Sequence, residues 1–264
     1  MSSLRTHRLI QLTDNHIGVS REHRLAGVCT YDTFRQVLAD IAALPDVPDM
    51  LAVTGDVAAF GKRKAYRLFA EQISFVDIPY IWLPGNHDDF EVMQSSVTST
   101  PYWPLLEFGN WRVISLNSAV SGEVGGFLAD SELDFLAATL RKESAHPTII
   151  FLHHPPVPVG CQWLDNQKIS NANELENIVV AASNVQAIFC GHVHQEYAVG
   201  WASCRVYTTP STCFQFAANS REFAMSDDRP AYRWIDLHPD GRMETGVHHL
   251  QIADYAVDHQ VTEY

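Results

Sequence analysis

Asn86 and His87 stand side by side in Gly85-Asn86-His87-Asp88, a neutral amide oxygen next to an imidazole, just after the apolar run Tyr80–Leu83. Pro84-Gly85 breaks that run, so the pair is expected on a turn past the carboxyl end of a strand, where open α/β sheets bind ligands. One such turn is ordinary loop chemistry; repetition gives it weight. Asp14-Asn15-His16 follows the apolar stretch 8–13, Gly55-Asp56 follows Met50–Thr54, His153-His154 follows 147–152, and Gly191-His192-Val193-His194 follows Val185–Cys190. Five strand-like runs therefore deliver Asp14, His16, Asp56, Asn86, His87, His153, His192 and His194.

All of these are oxygen or imidazole donors. They suit zinc, manganese or iron better than calcium, which takes oxygen alone, or an ion that seeks thiolates. Seven ligands are too many for one tetrahedral ion and fit two ions sharing a bridging carboxylate. Two divalent ions less Asp14, Asp56 and a bridging hydroxide leave roughly one positive charge, which would hold a phosphate monoanion. A neutral Asn86 in place of a third carboxylate keeps that balance positive.

The elements that must position these residues are legible from period. Stretch 8–13 reads as a first strand. Tyr31, Phe34, Val37, Leu38, Ile41 and Leu44 predict a helix over 31–44, stopped by Pro45. Met50–Thr54 is a second strand, Ala65, Leu68, Phe69, Ile73 and Val76 stripe a second helix, and Tyr80–Leu83 is a third strand. Two successive βαβ units imply a parallel sheet with right-handed crossovers. Gly109-Asn110 between Leu105–Phe108 and 111–116 reads as a hairpin, where the sheet becomes mixed. Ser131 is the expected N-cap of a helix carrying Leu133, Leu136, Ala137 and Leu140. Asn171-x-x-Glu174 reads as a capping box before Leu175, Ile178 and Val179. Stretches 196–199, 205–208, 232–237 and Met243–His249 have strand composition, with turns at Gly200-Trp201 and Pro239-Asp240-Gly241, and read as a second sheet packed on the first.

Composition narrows the function classes. The chain has 264 residues, 46% of them hydrophobic, enough for one large α/β domain. Lys+Arg 18 against Asp+Glu 31 gives a net charge of -13, a poor footprint for tracking a long nucleic acid, and the lack of a basic, aromatic-interleaved stretch argues against a nuclease. The five cysteines form no Cys-x-x-Cys pair, which argues against a disulfide framework and a thiolate zinc site and for a reduced, cytoplasmic protein. Residues 1–8 are charged and lead straight into a strand, unlike a secretory leader. The longest stretches free of Asp, Glu, Lys and Arg are broken by His, Pro or Asn, so no membrane span is expected.

Taken in order, Asp14-x-His16, Gly55-Asp56, Gly85-Asn86-His87-Asp88, His153 within His-His-Pro-Pro, and Gly191-His192-x-His194 resemble the five blocks of the calcineurin-like metallophosphoesterases, across roughly residues 9–212. Within that family the chain is most similar to the bacterial class III 3′,5′-cyclic AMP phosphodiesterases, through 82–88, 161–165 with Asn171, 190–196, and 209–213 with Gln215-Phe216. The resemblance implies an α/β fold, a four-layer α/β/β/α sandwich of two mixed sheets flanked by helices; length and the lack of a linker-like break favour a single domain over 1–264, and 250–264, without a clear period, is expected to be a loosely held tail. It implies two transition-metal ions, iron and/or manganese with zinc as the alternative. Asp14, His16 and His194 would hold one ion, Asn86, His153 and His192 the other, and Asp56 would bridge. By the same resemblance His87 would be the non-ligand catalytic histidine beside the scissile phosphate. No motif position departs from the family pattern, although Asn15 is an unusual filler between the first two ligands.

The implied reaction is hydrolysis of 3′,5′-cyclic AMP to 5′-AMP by a metal-bridging hydroxide, with a small cyclic nucleotide as the partner and neither long nucleic acid nor membrane. Glycerophosphodiesters or 2′,3′-cyclic nucleotides are the rival substrates. A metal-free interaction scaffold on the same fold is the rival class, and its signature would be missing ligands, whereas every ligand position is filled. His154 is expected outside the ligand set, because successive side chains of an extended segment point opposite ways. Asp88 and Asp89 are expected to bond turns or cap a helix. Trp163 and Phe214 could stack on a purine, but their apolar surroundings favour core or wall.

Overall fold

The computed structural model describes residues 5–98, 101–142, 145–252 and 255–262. Its first sheet runs in the order β15 (Met243–His249), β14 (Ala231–Leu237), β1 (His7–Leu12), β4 (Met50–Thr54) and β5 (Tyr80–Leu83). β1, β4 and β5 are parallel, crossed over by α1 (Thr30–Ala42) and α2 (Arg63–Ile73). The second runs β10 (Tyr197–Trp201), β11 (Cys204–Thr208), β9 (Val185–Cys190), β8 (Thr148–Phe151), β7 (Trp111–Ser115) and β6 (Leu105–Phe108). Its four inner strands are parallel, with α4 (Asp130–Lys142) and α6 (Ala172–Val180) as crossovers. Two-residue pairs β2 (Arg24–Leu25) with β3 (Val28–Cys29) and β12 (Gln215–Phe216) with β13 (Met225–Ser226), and short helices α3 (Phe90–Gln94) and α5 (Gln162–Asp165), sit in the loops.

Period-2 alternation builds the layers. Leu9, Met50, Ala52, Ile81 and Leu83 point between the sheets and meet Trp111, Val113, Ile149, Phe151 and Phe189. Their neighbours Ile10, Leu12, Leu51 and Val53 point the other way, onto Phe34, Val37 and Phe69 of the first helix layer. Ile114, Ile150 and Ile188 likewise meet Leu133, Leu136, Leu175 and Val179. Strands apolar on both faces are what a four-layer α/β/β/α sandwich demands, and each such side chain contributes about 1.5–3 kcal/mol by burial. The expected fold class is the observed one.

Several local expectations are corrected. The last two strands do not build the second sheet: β14 pairs antiparallel with β1 and β15 with β14, so both extend the first sheet, while the β6–β7 hairpin belongs to the second. β10 continues through Gly200-Trp201, and the chain reverses at Ala202, whose φ is 51°. Helix α4 starts at Asp130, which puts Ser131 inside its first turn. Asn171 holds the N-cap position of α6 but spends its amide on the N–H and carbonyl of Leu128, fastening the loop before α4. The tail has no regular element among the described residues after 249, yet it is fastened: Tyr255 Oη donates to the Cys213 carbonyl, and Asp258 N–H donates to the Ala26 carbonyl. Residues 1–4 of the charged amino-terminal stretch, and 253–254 and 263–264 of the tail, lie outside the described residues.

Candidate metal centre

The carboxyl ends of β1, β4, β5, β8 and β9 meet at one end of the sandwich. Gln11, fully buried on β1, ties the two sheets just beneath: its amide donates to Thr54 Oγ1 at 2.9 Å and to the Cys190 carbonyl at 3.2 Å. Past the strands the backbone turns sharply. Nine non-glycine residues among those described have positive φ, and five are Asp14 (53°), His16 (45°), Asp56 (49°), His192 (69°) and His194 (48°). Each costs free energy that surrounding structure must offset, and such concentration marks a site built for a purpose other than stability. Two of the preceding glycines are set by close approach. A Cβ on Gly55 would lie 2.2 Å from His153 Nδ1, and one on Gly85 would lie 2.2 Å from Asp56 Oδ1.

All eight side chains expected at the strand exits come together. Asp14, His16 and His194 form one group of ligand atoms within 4.8 Å of one another. His194 Nε2 lies 3.3 Å from Asp14 Oδ1 and 3.3 Å from His16 Nε2. On the other side, Asn86 Oδ1 lies 3.2 Å from His153 Nε2 and 3.0 Å from His192 Nδ1. Asp56 stands between, its Oδ2 3.7 Å from His16 Nε2 and 3.4 Å from His153 Nε2. Ligand atoms at about 2.1 Å from a common ion are roughly 3.0–3.4 Å apart, a spacing that all of these pairs except Asp56 with His16 meet.

The remaining ring nitrogens of His153 and His194 support the same reading. His153 Nδ1 donates to the Thr54 carbonyl at 2.8 Å and His194 Nδ1 to the Phe214 carbonyl at 2.7 Å, which turns each Nε2 towards the cluster. His192 Nε2 is buried with no hydrogen-bond partner. The donor set fits a pair of borderline cations.

Electrostatics follows from burial and crowding. Burial holds His16 and His192 well below the usual imidazole range, so both are neutral and ready to ligate. Burial also pulls on His153, but the Asp56 and Asp14 carboxylates outweigh it and raise its pKa to about 9. For Asp56, burial is outweighed by His153 and His87, which hold it well below the carboxylate range. Burial and the Asp56 charge push Asp88 up to about 6. Its carboxylate accepts from Val57 N–H, Ala58 N–H, Gly85 N–H and Tyr66 Oη, clamping the second and third exits together. Asp89 accepts from Val92 N–H as the N-cap of α3. Both do the turn and capping work expected of them.

His87 borders the centre on its open side. Its N–H donates to Asp56 Oδ1 at 2.9 Å and its Nδ1 to the Ala59 carbonyl at 3.1 Å. Two chambers open beside it. One, of about 490 Å³, is walled by Asn86, His192, Trp163, Phe216, Phe223 and, from the tail, Thr262. The other, of about 630 Å³, is lined by Phe60, Lys62, Asp89 and Asn117. Of the two aromatics singled out in sequence, Trp163 is a wall, edge-on to Phe216. Phe214 is fully buried and packs on His16 and His194 behind the donors, where it can stack on no ligand. Sequence reasoning missed Phe223 and Thr262.

The description "calcineurin-like phosphoesterase" matches residues 7–196 of the chain. The chain is 35% identical to the 3′,5′-cyclic adenosine monophosphate phosphodiesterase CpdA of Escherichia coli K12 over 246 residues, covering 92% of this chain and 90% of that protein. It is 33% identical to a 3′,5′-cyclic-nucleotide phosphodiesterase of Nostoc sp. over 241 residues, covering 90% and 91%. In three dimensions it is similar to a dimetal phosphatase from Danio rerio, with a TM-score of 0.66 at 14% identity over 91% of this chain and 98% of that one, a likeness of fold.

Proposed function

The chain belongs to the calcineurin-like phosphoesterase family, and from that premise we propose that it is a dimetal phosphodiesterase that hydrolyses 3′,5′-cyclic AMP to 5′-AMP. The observation that carries the reading is that Asn86 and His87 belong at once to the donor cluster and to its open side, where Asn86, His87 and His192 line an aromatic chamber of about 490 Å³. A phosphodiester held at the donors then places its nucleoside substituent against Trp163, Phe216 and Phe223.

Asp14, His16 and His194 would hold one ion, Asn86, His153 and His192 the other, and Asp56 would be shared by both. When bound, such ions lower the pKa of the attacking water and neutralise charge on the phosphoryl oxygens. The carbonyls of Thr54 and Phe214 orient His153 and His194 for that task. His87, held by the Ala59 carbonyl through Nδ1, borders the open side of the centre, where its imidazole would protonate the leaving ribose oxygen. Iron and manganese suit the mixed nitrogen and oxygen donors, with zinc as the alternative. The five free cysteines, four of them buried, fit a reducing compartment such as the cytoplasm. No helix among the described residues is long and apolar enough to cross a membrane.

A substrate panel on metal-reconstituted protein tests the reading. Among 3′,5′-cyclic AMP, 2′,3′-cyclic AMP, glycerophosphocholine and bis-nitrophenyl phosphate, the first natural diester should give the highest kcat/KM, with 5′-AMP as product. Higher efficiency on glycerophosphocholine, or 3′-AMP as the main product, would overturn the substrate assignment and leave the dimetal diesterase standing.

A further inference from the structure

His154 follows a donor in sequence, and its ring lies 4.8 Å from that of His153 and 4.7 Å from that of His192. With those two it forms a group whose ligand atoms lie within 4.8 Å of one another. Its hydrogen bonds give it different work. Ser118 Oγ accepts from the His154 backbone N–H at 3.2 Å and lies 2.9 Å from His154 Nδ1, and because the Val124 carbonyl facing Nε2 can only accept, the neutral ring takes the Ser118 hydrogen at Nδ1. Nδ1 is then the acceptor nitrogen, and Nε2 carries the proton that it donates to the Val124 carbonyl at 3.1 Å. Both nitrogens are used, and the neutral ring has no lone pair left for a cation.

What the ring holds is the connection between β7 and α4. The base of that loop is packed directly on it, since a Cβ on Gly126 would lie 2.7 Å from His154 Cβ. The loop tip is exposed and forms the ridge between the two chambers. Gly122 borders both, Glu123 and Val124 border the aromatic one, and Val120 and Ser121 border the other.

We propose that His154 and Ser118 are a positioning pair that holds the 119–125 ridge against the substrate cleft, so that His154 governs substrate affinity through the ridge and takes no part in binding metal. The proposal rests on the reading of the cleft as a phosphodiester site. A substrate large enough to touch the ridge feels the pair, and a minimal diester does not.

The test compares wild type with His154→Ala, His154→Gln and Ser118→Ala by metal content, amide hydrogen exchange, and kinetics on 3′,5′-cyclic AMP and methyl nitrophenyl phosphate. His154→Ala should keep the wild-type metal content, speed exchange in 119–125, and raise KM for the cyclic nucleotide about 10-fold with a much smaller change in kcat, the size expected for one lost positioning bond. The small ester should be affected far less. His154→Gln should recover much of the loss, because its amide N–H can still reach the Val124 carbonyl. Loss of metal, equal losses on both substrates, or unchanged exchange and KM would overturn the proposal. Should His154→Ala fail to fold, Ser118→Ala carries the same expectations. Exchange needs no substrate, so a wild type inert towards cyclic AMP would sink the substrate reading and leave the exchange comparison to decide this one.

Discussion

Burial and charge act in opposite directions on the donors, and the balance differs from one histidine to the next. His16 and His192 are held neutral by burial, while the carboxylates around His153 raise its pKa to about 9. A ligating imidazole must be deprotonated. Metal-free protein at pH 7.5 therefore carries a proton on His153 that metal binding expels. Titration calorimetry in buffers of different ionisation enthalpy should show about one proton released per chain from this group, and affinity rising about tenfold per pH unit as pH climbs towards 9. No proton release at pH 7.5 would contradict the assignment. His87 makes a separate demand. Its replacement by Ala should slow turnover of 3′,5′-cyclic AMP, which has an alkoxide leaving group, by about two to four orders of magnitude, and that of a nitrophenolate ester far less. An equal loss on both would remove the acid role. The residue types at the exits were legible because carboxylates and imidazoles rarely follow apolar runs five times in one chain. The left-handed φ of five of them was not, since nothing in the residues Asp14 or His194 announces it.

At the scale of elements, the strand exits work only if the two sheets stay in register beneath them, and Gln11 supplies that link. Besides its bonds to Thr54 and Cys190, its Oε1 accepts from Thr209 Oγ1 at 2.6 Å, and Thr209 in turn accepts from Arg233 Nε at 2.9 Å. Gln11→Leu fills the space but removes the three bonds and leaves the Thr209 hydroxyl proton without its acceptor, while the Cys190 carbonyl keeps the Thr209 N–H, a cost of about 1–3 kcal/mol. Urea unfolding should show a lower midpoint, and an unchanged one would mean that the network carries no net stability. This polar layer was invisible in sequence because a lone Gln within a strand reads as a surface position. The parallel strands β1, β4 and β5 were legible, since βαβ order dictates them. The membership of β14 and β15 was not, because antiparallel pairing of residues more than two hundred positions from β1 leaves no local period.

For the whole molecule, two sheets each lend parallel-strand ends to one centre: β1, β4 and β5 supply Asp14, His16, Asp56, Asn86 and His87, and β8 and β9 supply His153, His192 and His194. The site exists only where the halves meet, which is why its residues span 14 to 194 in a chain that the family description matches over 7–196. With two divalent ions bound, the centre would carry roughly one positive charge within a chain of net charge -13, a balance that would favour a small monoanion over a long polyanion. A dimetal site here requires one carboxylate to serve both ligand groups, and Asp56 lies between His16 and His153. Elemental analysis of wild type and Asp56→Asn, each reconstituted and freed of loose metal, tests it most directly. The account predicts two ions per chain in the wild type and loss of tight binding of at least one in the variant; one ion in the wild type, or two still held tightly by Asp56→Asn, would contradict it.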